Sequence, residues 1–178
     1  MKLVPLLLLL LQCGLAGSVP VTTPEYQIKA VFLFNFTRFV EWPREAFPDE
    51  QTPMVIGILG DDPFGAFLDD TVHGESVNGR PLLIQRYRRV EDIKTCHVLF
   101  ISRSEADRLP EIFASLKGRN LLTVGDVDGF SRSGGVIRLA TVQNKVRLRI
   151  SLNAATAANL TISSKLLRPA EIVAAGED

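Results

Sequence analysis

Three loops hold the side chains of this sequence best suited to grip a ligand. They read Gly60-Asp61-Asp62-Pro63-Phe64-Gly65, Ser102-Arg103-Ser104 and Gly125-Asp126-Val127-Asp128-Gly129-Phe130. Each follows a short apolar run with the character of a buried strand. Open α/β sheets bind ligands in the crevice outside the carboxyl ends of their strands. Asp61, Asp62, Ser102 and Asp126 therefore form the candidate ligand-binding set. The same residues also read as helix caps, and the glycines as turn formers, which such a fold uses routinely.

No catalytic pattern accompanies these loops. The dinucleotide fingerprint G-x-G-x-x-G and the phosphate loop G-x-x-x-x-G-K-[ST] are both absent, so no nucleotide cofactor is expected. There is no G-x-S-x-G nucleophile elbow. His73 sits in a polar loop. His97 directly follows Cys96 at a strand start, and adjacent strand residues face opposite sides. The two are badly placed to share a metal, and no metal site or other cofactor is expected.

The leader narrows the context. Met1-Lys2 precedes a leucine-rich block from Leu3 to Leu11, followed by Gly14, Ala16, Gly17 and Ser18. This is the pattern of a secretory signal peptide over residues 1–17, cleaved near Ala16 or Gly17. The block is about half the roughly 20 residues of a membrane span, so the mature chain is expected not to cross the membrane. Lipid attachment at Cys13 is disfavoured by the large Gln12 before it. Cleavage removes only Lys2 from twenty basic side chains set against twenty acidic ones. Near neutrality leaves no footprint for nucleic acid. One cysteine, Cys96, remains, so no intramolecular disulfide is possible. A lone thiol leading into a buried strand is expected to be inert.

The elements that must position the loops follow from periodicity. With 46% hydrophobic and 22% charged residues in 178, a single packed domain is expected. Strands are predicted at 54–60, 82–87, 96–102 and 121–126. A helix is placed at 64–72, with Asp62 as N-cap and Pro63 in its first position. Another follows Ser102 or Ser104 and ends at Gly118. VIRLATV and VRLRISL flank Gln143-Asn144-Lys145 as a hairpin. A small helix runs from Asn153 to Leu160, and 162–167 is a last strand or extended tail. Alternating strands and helices predict an α/β fold: one three-layer domain, a mixed, mostly parallel sheet flanked by helices, and a C-terminal antiparallel hairpin.

The segment EYQIKAVFLFNFTRFVEWP (25–43) is read as a helix over 26–40, stopped by Trp42-Pro43. On a helical wheel Ile28, Phe32, Leu33, Phe36, Phe39 and Val40 fill one side. Gln27, Asn35, Thr37, Arg38 and Glu41 fill the other, together with Val31 and Phe34. Lys29 falls within the apolar arc, where it either snorkels to water or meets a carboxylate, the snorkelling reading being preferred. Apolar groups nearly all round predict burial on more than one face. Val31, Phe34, Arg38 and Trp42 are the candidate interface residues, since aromatics and arginine anchor interfaces.

These blocks together resemble the YfiR/HmsC-like family of periplasmic proteins. The likeness is carried by Lys29, Asn35, Phe36, Trp42 and Pro43, by Gly60 to Gly65, His97 to Ser102, Thr123 to Asp126 and Ser163 to Leu167. It implies a YfiR-like domain at 25–168, with 169–178 a short C-terminal tail. It also implies an exported, non-enzymatic regulator that acts as a homodimer. Such a regulator represses a membrane diguanylate cyclase by binding the periplasmic part of an inner-membrane GGDEF protein. The alternative is a periplasmic small-molecule-binding domain with a different membrane signalling partner. Family members often carry a cysteine in the strand equivalent to 54–59. Here Gly57 stands in that neighbourhood, and Cys96 has no partner.

Overall fold

Strand β2 (Met54–Leu59) is buried at every position, and the sheet is built outward from it. The structure is a computed structural model describing residues 22–174 and 177. The expected leader and Cys13 lie outside the described residues. On β2 both neighbours are parallel: Ile56 lies opposite Ile84 of β4 (Arg80–Tyr87) and Val98 of β5 (Val98–Ile101). Parallel strands β6 (Leu122–Gly125) and β7 (Ile137–Val142) extend the sheet beyond β5. The antiparallel β8 (Lys145–Ser151) returns beside β7, and β10 (Glu171–Val173) runs parallel to β8 at that edge. At the other edge, the two-residue β3 (Ser76–Val77) pairs antiparallel with β4. A separate small sheet joins β1 (Val40–Glu41) to β9 (Thr161–Ile162).

Period-two alternation sorts the strand residues into two cores. Met54, Ile56, Ile58, Val98, Phe100, Leu122 and Val124 face one side. There they meet α1 (Pro24–Phe39), α2 (Ala66–Val72), α4 (Leu152–Ala157) and α5 (Ser164–Leu167). Leu59, Leu99 and Ile101 face the other side, under α3 (Leu109–Leu116). Helices thus cover both faces, as a parallel sheet requires. Each fully buried Ile or Phe in these layers contributes about 1.5–3 kcal/mol.

The fold class and main strands follow the sequence reading, and local chemistry explains the departures. Gly65, not Asp62, occupies the N-cap position of α2. Asp62 Oδ1 instead accepts the N–H groups of Phe64 and Gly65 at 2.7 and 3.3 Å, closing a turn one step earlier. Ser102 leads into a 3₁₀ turn over 103–108 without a side-chain cap bond. The segment 162–167 is neither strand nor tail throughout: Ser163 Oγ accepts Lys165 N–H and starts the one-turn α5. α4 begins at Leu152, with Ser151 Oγ accepting Ala154 N–H. Within the span read as a tail, Glu171–Val173 adds β10. The hairpin turn is Gln143-Asn144, with both residues at positive φ (48° and 59°), the geometry whose twist suits a two-residue β-turn.

Gly57 is the one β2 position where a side chain has no room. A Cβ there would lie 2.7 Å from both Cys96 Sγ and Tyr87 Cε2. Overpacking of this kind destabilises by about 1–3 kcal/mol. Gly57→Ala should therefore lower the unfolding free energy by that amount, seen by circular dichroism as a lower urea midpoint with an unchanged slope.

Candidate functional site

The site begins with a lysine that cannot reach water. The buried stripe of α1 is Lys29, Ala30, Leu33, Phe36 and Thr37. The wheel is thus rotated from its sequence reading: Ile28 is 47% exposed and Val31 44%, while Thr37 turns inward. Thr37 Oγ1 satisfies itself on Phe34 O at 2.6 Å. Lys29 does not snorkel, since its side chain has no exposed surface. Its Nζ meets Asp126 Oδ2 at 2.6 Å and Glu25 Oε1 at 2.5 Å.

Asp126 stands just past the carboxyl end of β6 and is the hub. Its Oδ2 also accepts the Tyr26 hydroxyl at 2.9 Å. Arg103, from the turn after β5, brings Nε to 3.3 Å from Oδ1 and Nη2 to 3.4 Å from the Asp126 carbonyl. Beyond that ion pair, Asp126 Oδ1 accepts no hydrogen bond among the described residues. The Tyr26 ring lies under the Lys29 ammonium at 4.5 Å and packs edge-on against Phe64, which in turn meets Phe100. Thr141 Oγ1, in the hairpin, donates to Glu25 at 2.7 Å. Burial, and then the Asp126 charge, raise the Tyr26 phenol well above its ordinary range, so it stays a donor. The hydrogen bond from Lys29 is the largest influence holding Glu25 below its usual value. A hollow of 290 Å³ opens beside this cluster, lined by Arg103, Ala106, Asp126, Val127 and Asp128. Arg103, Asp126 and Asp128 give its lining a charged character.

The four candidate ligand residues all lie at carboxyl ends of parallel strands, but they take different partners. Asp62 Oδ2 binds Arg86 Nε at 2.7 Å, and Arg86 also grips Asp69 of α2. Asp61 is exposed, with its N–H bonded to Ser104 Oγ at 2.9 Å. Ser102 is buried and its N–H joins Leu59 O across the sheet. Only Asp126 of the four enters the lysine cluster among the interactions of the described residues. Tyr26, Glu25 and Arg103 complete the cluster without belonging to the candidate ligand set. The i, i+4 spacing of Glu25 and Lys29 was the one available signal.

Of the interface candidates, Val31 and Arg38 are exposed and Phe34 is half-buried, with the Arg38 guanidinium 4.9 Å above its ring. Trp42 is half-buried and donates from Nε1 to His97 O at 3.2 Å. His97 itself is buried. Its Nδ1 accepts Val55 N–H at 3.0 Å, which places the ring proton on Nε2, 3.2 Å from Ala46 O. Phe47 stacks on it at 4.4 Å, and Arg80 lies over Phe47. Cys96, on the opposite side of the strand, has its thiol pushed up to about 12 by burial, which makes it a poor nucleophile. Among the described residues no group of three His, Cys, Asp or Glu is placed to hold a metal. Nor is any helix of the described residues long and apolar enough to cross a membrane.

A family model described as YfiR/HmsC-like matches residues 26–171, which takes in α1, the Asp126 hub and nearly the whole sheet. The chain belongs to that family. Membership suggests a periplasmic regulator of cyclic-di-GMP signalling, and the YfiR/HmsC-like family is regulatory and non-catalytic. A crystal structure of a conserved domain protein from Vibrio cholerae O1 biovar eltor is similar with a TM-score of 0.47 and 13% identity. That likeness covers 66% of this chain and 54% of the other, so the chain spans about half the length of that relative. No curated protein matches.

Two outcomes test these assignments. Removing one partner of a buried ion pair costs about 3–5 kcal/mol, because the other charge is stranded. Lys29→Met should lose stability on that scale, and adding Asp126→Asn should restore more than half of it, read by urea melts. For His97, burial is the first cause of a folded pKa below the ordinary value. Its contribution to stability is therefore complete above about pH 6.5 and is lost as pH falls from there through the depressed folded value. The thermal midpoint should drop over that window in wild type, and much less in His97→Gln.

Proposed function

We propose that this chain is an exported repressor that binds the periplasmic part of an inner-membrane diguanylate cyclase, a GGDEF protein, and lowers cyclic-di-GMP synthesis. The observation that carries the reading is the family match across nearly the whole folded chain. The leader pattern at 1–17 supports export to the periplasm, where the domain at 25–168 works as a homodimer.

The contact face is the outer side of α1, where Ile28 and Val31 leave adjacent apolar surface uncovered, with Phe34, Arg38 and Trp42 continuing toward the helix exit. Arginine and large aromatics at such a face are the residue types that dominate binding energy. A second reading is supported by the hollow at Arg103 and Asp126. In it the chain is a periplasmic small-molecule-binding domain, ligand contacts come from Asp61, Asp62, Ser102 and Asp126, and the membrane signalling partner is a different one.

Deletion and complementation in the native host, with cellular cyclic-di-GMP as the readout, tests both readings. Deletion should raise cyclic-di-GMP and the wild-type chain should restore it. Val31→Asp should fold and melt like wild type yet fail to restore repression, whereas a charge at the fully buried Phe36 should damage folding itself. Unchanged cyclic-di-GMP on deletion would remove the repressor reading. Full complementation by Val31→Asp would move the contact off α1.

A further inference from the structure

Strand β6 pairs with β5 along its whole length but with β7 along only half of it. Its pairing with β7 begins only at Val124 opposite Ile137, so Leu122 and Thr123 have no β7 residue beside them. The chain entering β7 is tied back by one side chain, Thr123 Oγ1, which accepts Val136 N–H at 3.1 Å. The two strands therefore splay at the amino-terminal end of β6. A cavity of 360 Å³ occupies the opening, between the end of α3 and the flank of α4. That volume lies within the range of small-molecule sites.

The lining is apolar with a charge of one sign. Phe113, Leu121 and Val136 form the walls, with Ala154, Ala157 and Ala158 on the α4 side. These alanines sit at i, i+3 and i+4, hence on one helix face, and their small side chains leave the space open. Among the described residues no acidic side chain lines the cavity, whereas Lys117 and Arg119 both do. Arg119 Nη1 and Nη2 donate to the carbonyls of Ile93 and Lys94 at 2.9 and 3.0 Å. Neutral acceptors hold that guanidinium in place and leave its charge uncompensated. Lys117 is exposed, and among the described residues no carboxylate pairs with either cation.

We propose that this cavity binds a small amphiphilic monoanion, an aryl or medium-chain carboxylate or sulfonate. Its apolar body packs between Phe113 and the α4 alanines, and its anionic head is held by Lys117 and Arg119. Burying the body supplies the affinity, and the unpaired cations select the charge. The site is separate from the Asp126 cluster and from the outer face of α1. It goes beyond the repressor reading and does not depend on it.

The test uses the purified mature chain and anilinonaphthalenesulfonate, an aryl sulfonate whose fluorescence rises in apolar surroundings. Its signal should saturate as binding to a single site. Octanoate should displace it, and octanol, of the same length without the charge, should do so about fivefold more weakly. Ala157→Leu fills the cavity from an exposed helix position and should weaken binding at least about tenfold while the thermal midpoint is held or raised. Lys117→Glu, a surface change, should weaken octanoate about fivefold. The assignment is overturned by the absence of saturable binding, by wild-type binding in both variants, or by equal competition from octanoate and octanol.

Discussion

A lysine placed in the apolar stripe of a helix must be compensated or the helix must rotate, and in this fold Asp126 supplies the compensation. Each buried ion carries a desolvation penalty of several kcal/mol, offset only when geometry and additional hydrogen bonds are good. Lys29 and Asp126 meet at 2.6 Å with no exposed side-chain surface on either. The Tyr26 hydroxyl shares the same carboxylate oxygen, and Arg103 stands at the other. This contact sets how α1 is turned on the sheet. With Lys29 pointed at the end of β6, Ala30, Leu33 and Phe36 follow it inward, and Ile28 and Val31 are left outside. The face available to a partner is thus a consequence of where one carboxylate sits.

The sheet was legible in the sequence because its signals are local. MVIGIL and VLFI are unbroken apolar runs of strand length, and such runs mark strands covered on both faces. The β7–β8 hairpin announced itself through the alternation of Val146, Leu148 and Ile150 around Gln143-Asn144. What was not legible depends on distant partners. β10 has three residues, and its pairing with Arg149, Ile150 and Ser151 has no trace in EIV read alone. β9 exists because Ile162 finds Val40 at the exit of α1. Ser163, capping α5 directly after it, then ends the extended path.

The candidate site divides in the same way. The crevice rule picked out Asp126 from its position after a strand, without knowledge of its partners. Tyr26 lies a hundred residues away, and no spacing rule connects the two. Asp62 was chosen on the same ground, but the strand register puts Arg86 of β4 within reach of it. An arginine on the neighbouring strand draws that carboxylate toward α2, while the lysine of α1 draws Asp126 inward. The crevice is consequently two charge clusters, and only the second adjoins the helix that offers an outer face.

The layer beneath α3 is held together by close packing around Gly57. The space that a side chain at position 57 would need is already filled, by the Cys96 thiol from one side and the Tyr87 ring from the other. Tyr87 is kept there by its hydroxyl, whose one proton lies within reach of both Gln85 Oε1 and Thr95 O, and burial pushes its phenol up to about 12, so it remains a neutral donor. The thiol is likewise neutral and directed at Val98 O, 3.2 Å away. A glycine, a thiol and a phenol thus interlock beneath α3. This layer is held by the fit of its side chains around a buried, neutral thiol.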